Sequence, residues 1–318
     1  MFFNQRPRLR KRLFIAAVCI AVAGGILFKL ADRYLIEHVE TIVAAPAPSA
    51  EPDSNLAADQ ESNVESEVKS DDWSYSSDDL SISIEQVATG EGGDRITYYV
   101  ADVITSDASV LQSAFAKNKF GRNIIENTSD IASAHQAVFA INGDYYGFRS
   151  DGVIIRNGTL YRDEPAREAV ALYKDGTMAS YDEQKVSAQT LLDSGVLHTL
   201  SFGPVLIENG QLLQNFDKVK IDTNFGNRSI SNANPRTGMG MIAPNHYVFV
   251  VVDGRQSDSR GMTLDEFAQL FADLGAKEAY NLDGGGSSTM YFMGRVVNNP
   301  QGKQAERGVS DILYLGEE

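Results

Sequence analysis

The chain has 318 residues, 43% of them hydrophobic and 22% charged, with 43 acidic side chains against 28 basic ones and a formal net charge of −15. Acidity on that scale excludes a nucleic-acid binder, which needs an extended cationic footprint to neutralise phosphates. A single cysteine excludes a disulfide scaffold and a cysteine-built zinc site, and the ordinary composition excludes collagen-like, coiled-coil and wholly disordered chains.

Residues 1–12 carry Arg6, Arg8, Arg10, Lys11 and Arg12 and no acid. Leu13 to Leu30 is apolar apart from Lys29, about the minimum length for crossing a hydrocarbon core of roughly 30 Å. The basic flank predicts a single-pass signal anchor over 13–30 in the cell membrane, with residues 1–12 cytoplasmic and the rest of the chain extracytoplasmic. Ala21-Val-Ala23 before Gly24 offers a rival, a cleaved signal peptide, but the apolar run resumes at Ile26-Leu27-Phe28 and continues into Tyr34-Leu35-Ile36. Cys19 lies inside this segment and reads as a membrane-buried thiol. Residues 31–79 follow with Pro46, Pro48 and Pro52, and ten acids face one lysine between positions 41 and 80. Such a stretch buries too little apolar surface to offset its ordering entropy, so it is predicted to be a disordered acidic stalk.

Residues 80–318 are globular in pattern without a second linker, which predicts one domain. Alternation over Ser81 to Val87 and Arg95 to Ile104 predicts a strand pair. Hairpins are expected at Gly152 to Tyr161, turning at Asn157-Gly158, and at Glu168 to Tyr181, turning at Asp175-Gly176. The clearest helix is Leu264 to Leu274, where Thr263 and Glu266 make a capping box and Gly275 ends the run. Shorter helices are expected at Ser129 to His135 and Ser187 to Leu192. The fold class is therefore α+β, a strand-rich mixed α/β domain with a central sheet and few helices, preceded by a transmembrane helix.

One pattern recurs three times. Ala137 to Ile141 runs into Asn142-Gly143-Asp144, Tyr247 to Val252 into Asp253-Gly254-Arg255, and Glu278 to Leu282 into Asp283-Gly284-Gly285-Gly286-Ser287-Ser288. The first two strands are continuously apolar, as in sheets buried on both faces. Any one of these ends is an ordinary turn. Three of them on the most buried strands predict a shared crevice. The run Asp283 to Thr289 suits an anion cradle, since its glycines free backbone amides, yet it is neither a Walker loop nor a Gly-x-Ser-x-Gly elbow. In Asn234-Pro-Arg-Thr237, Pro235 stiffens the chain before Arg236, a presentation that suits capture of phosphate or carboxylate. The histidines, His38, His135, His198 and His246, lack metal-ligand spacing.

Taken together, Asn142-Gly-Asp-Tyr-Tyr146, Asn234-Pro-Arg-Thr237, the Asp253-Gly-Arg255 turn with Gly261-Met-Thr-Leu264, and Leu282-Asp-Gly-Gly-Gly-Ser-Ser288 resemble the phosphodiester glycosidase family over about residues 80–318. The resemblance implies a hydrolase that cuts between a sugar's anomeric carbon and a phosphodiester oxygen, on cell-envelope or exopolysaccharide glycans. It implies a glycan or glycophosphodiester as substrate, no required cofactor, and room for a structural calcium. Asp283 is the first candidate for the catalytic carboxylate, with Asp253 and Asp144 behind it. Asn142 is expected to position a substrate hydroxyl. Arg236, Thr237, Arg255, Gly284, Gly285, Gly286, Ser287 and Ser288 are expected to bind the substrate. Two other readings stand beside this one: a non-catalytic glycan-binding or assembly factor, and a metal-dependent phosphodiesterase in which Asp144, Asp253 and Asp283 ligate a hard cation.

Overall fold

The computed structural model describes residues 6–43, 68–216, 219 and 230–316. An N-terminal helix spans Arg6–Tyr34, and its stretch Lys11–Asp32 is long and apolar enough to cross a membrane. No residue of that stretch is buried.

Among the described residues all strand pairs are antiparallel, and the main ones form two stacked sheets. The central sheet has nine strands, running in space from Gln211–Leu212 through Val205–Glu208, Glu278–Asn281, Arg236–Ala243, His246–Val252, Ile96–Thr105, Leu80–Thr89 and Ser74–Ser76 to Lys69–Ser70. A second sheet of five strands centres on Ala137–Asn142, with Met290–Phe292 and Asp311–Gly316 on either side of it. Ile82, Val103, Met239, Phe249 and Val251 of the first sheet pack against Phe139, Ile141, Met290 and Leu313 of the second. The outer face of the central sheet buries Val248, Val250 and Val252 against helix Leu264–Asp273. Helix Thr128–Ala134 covers the outer face of the smaller sheet through Ile131 and Ala132. The order is helix, sheet, sheet, helix, so inner strands meet apolar neighbours on both faces. That burial explains their unbroken apolar runs.

The local expectations are met by identifiable groups. Thr263 Oγ1 accepts a hydrogen bond from the Glu266 amide, and the Thr263 amide donates one to the Glu266 carboxylate, closing the capping box. The Asn157-Gly158 turn sits between Gly152–Arg156 and Thr159–Glu164, with both turn residues at positive φ. The second hairpin, Glu168–Tyr173 with Met178–Asp182, turns over three residues, not two: the amide of Tyr173 donates to the Thr177 carbonyl, and Gly176 takes the left-handed position at φ 82°.

Residues assigned to a stalk enter the folded part earlier than expected. His38–Ile42 pairs with Lys119–Arg122, and Lys69–Ser70 and Ser74–Ser76 extend the central sheet. Residues 44–67, about half of the predicted stalk, lie outside the described residues.

Helix Leu264–Asp273 lies flush on strand Arg236–Ala243 because that strand offers glycine where the rings arrive. A Cβ on Gly238 would stand 2.8 Å from the Phe267 ring, and one on Gly240 2.9 Å from that of Phe271. Gly238→Ala is therefore expected to cost about 2 kcal/mol of unfolding free energy by overpacking. Urea denaturation followed by circular dichroism measures it, and an unchanged midpoint would mean the helix moves aside freely.

Candidate active site

Strands His246–Val252 and Glu278–Asn281 both lie antiparallel to Arg236–Ala243 on its two sides, so they run in the same direction. Their Asp253 and Asp283 ends therefore leave the central sheet at one edge. The third end, Asn142, comes from the other sheet and meets them through a buried knot. Its Nδ2 donates to the Asp283 carbonyl at 2.7 Å, and its Oδ1 accepts from Thr237 Oγ1 at 2.8 Å and from the Thr289 amide at 3.2 Å. The three ends converge as expected, but from two sheets.

The convergence leaves several candidates turned inward. Asn142 and Thr237 are fully buried and spend their polar atoms on each other and on Asp283 and Thr289. Asp253 accepts from Asn298 Nδ2 at 2.9 Å and from the Asn299 amide at 3.1 Å. Burial raises its pKa, and those two donors oppose the rise. Asp144 accepts from the amides of Tyr146 and Ser201 and pairs with Arg156 at 3.2 Å.

Arg236 corrects the expectation of an anion-capturing turn. It is the first residue of its strand, and side chains alternate, so it shares the helix-covered face with Gly238 while Thr237 faces the second sheet. Its Nε donates to the Met262 carbonyl at 2.9 Å, and Nη2 donates to the carbonyls of Ile230 and Asn232. Burial, and then the neighbouring Arg255 charge, lower its pKa to about 10.

What faces outward is the glycine loop and its rim. Asp283 keeps 11% side-chain exposure, and its Oδ2 lies 3.3 Å from Arg307 Nη2. Arg307, 47% exposed, also donates to Ser287 Oγ through Nε at 3.0 Å and Nη2 at 2.5 Å. On the other flank the exposed Arg255 donates to Asn234 Oδ1 at 2.7 Å, and a Cβ on Gly285 would stand 3.3 Å from its Nη1. Gly285 takes φ 67°, a conformation that favours glycine. The amides of Gly284 and Gly286 donate to no group among the described residues, and the buried Ser288 Oγ has no partner there. Burial raises the Asp283 pKa, while Arg307, the Ser287 hydroxyl and Arg149 pull it down. Arg149 lies 5.0 Å over the Tyr145 ring, which stacks on Phe148 at 4.8 Å, and 5.1 Å from the Phe202 ring. An aromatic wall of that kind suits the apolar face of a sugar.

Arg307, Arg149 and Phe202 carry no sequence signal of a site. Ala305-Glu306-Arg307-Gly308 matches no motif, and only folding brings Arg307 to a carboxylate 24 residues away. Among the described residues no three His, Cys, Asp or Glu side chains are grouped so as to hold a metal ion. His198 is a buried, satisfied histidine, its ring nitrogens at 2.9 Å from the Leu111 carbonyl and 3.4 Å from the Asn157 amide. Burial lowers its pKa to about 4.

Behind the site lies a second buried cluster. Arg156 donates to Asp311 at 2.8 Å and to Asp144 at 3.2 Å, and all three side chains are fully buried. Two carboxylates share one guanidinium, and Asp311 Oδ1 has no partner among the described residues. Burial raises the Asp311 pKa; the nearby Asp144 charge adds to the rise and Arg156 opposes it.

Stacked antiparallel sheets that present a buried carboxylate beneath an arginine-flanked glycine loop make a concave polar site that suits an anionic ligand. The phosphodiester glycosidase family matches residues 135–315, more than half of the chain, and the chain belongs to that family. It is similar to the SPbeta prophage-derived uncharacterized protein YomE of Bacillus subtilis (strain 168), 30% identical over 243 residues, 69% of this chain and 36% of that protein. It is also similar to the N-acetylglucosamine-1-phosphodiester alpha-N-acetylglucosaminidase of Bos taurus, 26% identical over 178 residues, 56% of this chain and 29% of that enzyme. The chain thus spans about a third of the length of these relatives. In fold it is similar to the zebrafish N-acetylglucosamine-1-phosphodiester alpha-N-acetylglucosaminidase catalytic domain, auto-inhibited by its pro-peptide, with a TM-score of 0.60 and 22% identity over 75% of this chain and 84% of that one. A hypothetical protein from Synechocystis has a TM-score of 0.52 at 15% identity, over 74% of this chain and 62% of that one.

The Asp311 cluster gives a signed pH effect. Its raised pKa means that above about pH 4 the folded state binds more protons than the unfolded chain. Its contribution to stability is full below that pH and is lost as pH rises through the folded value. Asp311→Asn should remove that share of the decline, read as a flatter plot of urea midpoint against pH between about 4 and 8.

Proposed function

We propose that the chain is a membrane-anchored, extracytoplasmic hydrolase that cleaves the bond between a sugar's anomeric carbon and a phosphodiester oxygen on cell-envelope or exopolysaccharide glycans. The observation that carries this reading is Asp283, a largely buried carboxylate set under a glycine loop with the guanidiniums of Arg307 and Arg255 at its rim. Family membership supports the bond type, and the Bos taurus relative is named for a sugar 1-phosphodiester. The apolar N-terminal helix behind a basic flank supports the anchor.

A phosphate leaving group is a weak base, so its departure needs anion stabilisation more than a strong acid. Arg307 and Arg255, the amides of Gly284 and Gly286 and the Ser288 hydroxyl receive that charge. Asp283, ionised, faces the oxocarbenium-like carbon and stabilises or attacks it. The C1–O bond breaks with its electron pair going to the phosphate oxygen. Water supplies a hydroxyl to C1 and a proton, leaving free sugar and a phosphomonoester. Asp253, Asp144, Asn142 and Arg236 act as the frame that holds the Asp283 loop. The sugar ring packs on Tyr145, Phe148 and Phe202.

Asp283→Asn should abolish sugar release and leave substrate binding intact, whereas Arg307→Ala should lower kcat/KM by about 100-fold, the scale of losing one charge-stabilising donor. Products are identified by NMR with a panel of sugar 1-phosphodiesters. Unchanged turnover in Asp283→Asn would make the chain a binding factor or move the chemistry elsewhere, and release of sugar 1-phosphate would mean cleavage on the phosphorus side.

Because burial raises the Asp283 pKa and the carboxylate works ionised, activity should climb with pH across a limb centred above the ordinary aspartate value of about 3.9. A kcat/KM profile with its acid limb at or below that value would contradict the assignment.

A further inference from the structure

The N-terminal helix is seated at the same end of the fold as the candidate site. Asn123 Nδ2 donates to the carbonyls of Asp32, at 3.0 Å, and Ile36, at 2.9 Å. Asp32 is the last residue of the apolar stretch. Lys117 pairs with Glu37 at 2.5 Å, and His38 pairs in register with Arg122. The domain therefore begins where the apolar stretch ends, within a headgroup zone roughly 5–7 Å deep. Residues 44–67 join two strands of the domain and do not separate it from the helix.

The seat touches the rim of the site. The Asn123 amide donates to the Gly147 carbonyl at 2.9 Å, between Tyr145 and Arg149. The amides of Ala116 and Glu126 donate to the carbonyls of Ser310 and Val309, three and two residues after Arg307. The opposite end of the central sheet, where the Asn245 amide donates to the Gly176 carbonyl, is one strand away, about 20 Å at roughly 3.3 Å per residue. Leu35 and Ile42 are 78% and 77% exposed on the seat, beside half-buried Lys119 and Arg122 and the ion pairs of Glu37 with Lys117 and Glu40 with Arg162, a mixture of apolar and charged groups suited to a headgroup layer.

We infer that the domain lies with its site end against the headgroup layer, and that the site takes a sugar 1-phosphodiester whose second ester carries a membrane lipid. The seating stands on its own; the substrate class rests on the glycosidase reading above. Full-length protein carrying Cys19→Ser is reconstituted into vesicles of phosphatidylethanolamine and phosphatidylglycerol, with a fluorophore on Arg122→Cys or Asp175→Cys and a headgroup spin-labelled lipid as quencher. Quenching several-fold stronger at position 122 than at 175 is expected; equal quenching, or none at either, overturns the seating. The unlabelled protein in the same vesicles is then given a sugar 1-phosphodiester bearing a lipid tail and its water-soluble methyl ester. A kcat/KM at least tenfold higher for the lipid-borne substrate is expected, and a preference for the soluble ester overturns the substrate class. Turnover of neither ester overturns the glycosidase reading itself, while the quenching result still decides the seating.

Discussion

Two sheets stacked on apolar faces have little to fix their offset, since dispersion and the hydrophobic effect are non-directional. Asn142 supplies the direction. Its amide group, fully buried, bonds the Asp283 carbonyl, the Thr237 hydroxyl and the Thr289 amide at once, so an end of the smaller sheet is tied to two points of the glycine loop and to the central sheet. A buried amide left without partners costs more than each bond adds, so the register that satisfies all of them is selected. Asp283 takes its place in the site from that register.

The charged groups divide by depth. Arg156 and Arg236 sit in the interior and bind carboxylates or carbonyls of the chain itself, whereas Arg307 and Arg255 stay at the surface of the loop. A buried guanidinium whose donors are taken by the chain's own groups holds its neighbours and has little left for a ligand. An exposed one borders solvent and, on the proposed reading, lies within reach of a phosphate. Net charge gave no hint of this division: the folded part carries thirty acids against twenty bases from residue 81 onward, and the cationic rim is local.

Much of the fold was legible because its signals are local. The Thr263–Glu266 box, the Asn157-Gly158 turn and the apolar runs that end at Asn142, Asp253 and Asp283 each lie within a few residues of their effect. The site was legible where strand ends met glycine and illegible where it depended on side-chain parity or on distant contacts. Arg236 looked like a residue on a turn; one position of strand alternation sends it under helix Leu264–Asp273 instead. Arg307 reaches Asp283 only through the path of the last segment, and no spacing rule encodes that path. Arg149 and Phe202 are likewise brought together by packing across 53 residues of chain.

The bond from Asn123 to the end of the apolar helix changes how encounters should be counted. On the proposed seating the protein searches a plane, and its encounter rate follows the number of substrate molecules per unit area of bilayer. A short rigid link confines the site to one depth, as a short tether raises the effective concentration of what lies within its reach. Molecules a few nanometres further out share the compartment with the site without sharing its layer. Selectivity would then begin with altitude, before any contact with the sugar is made.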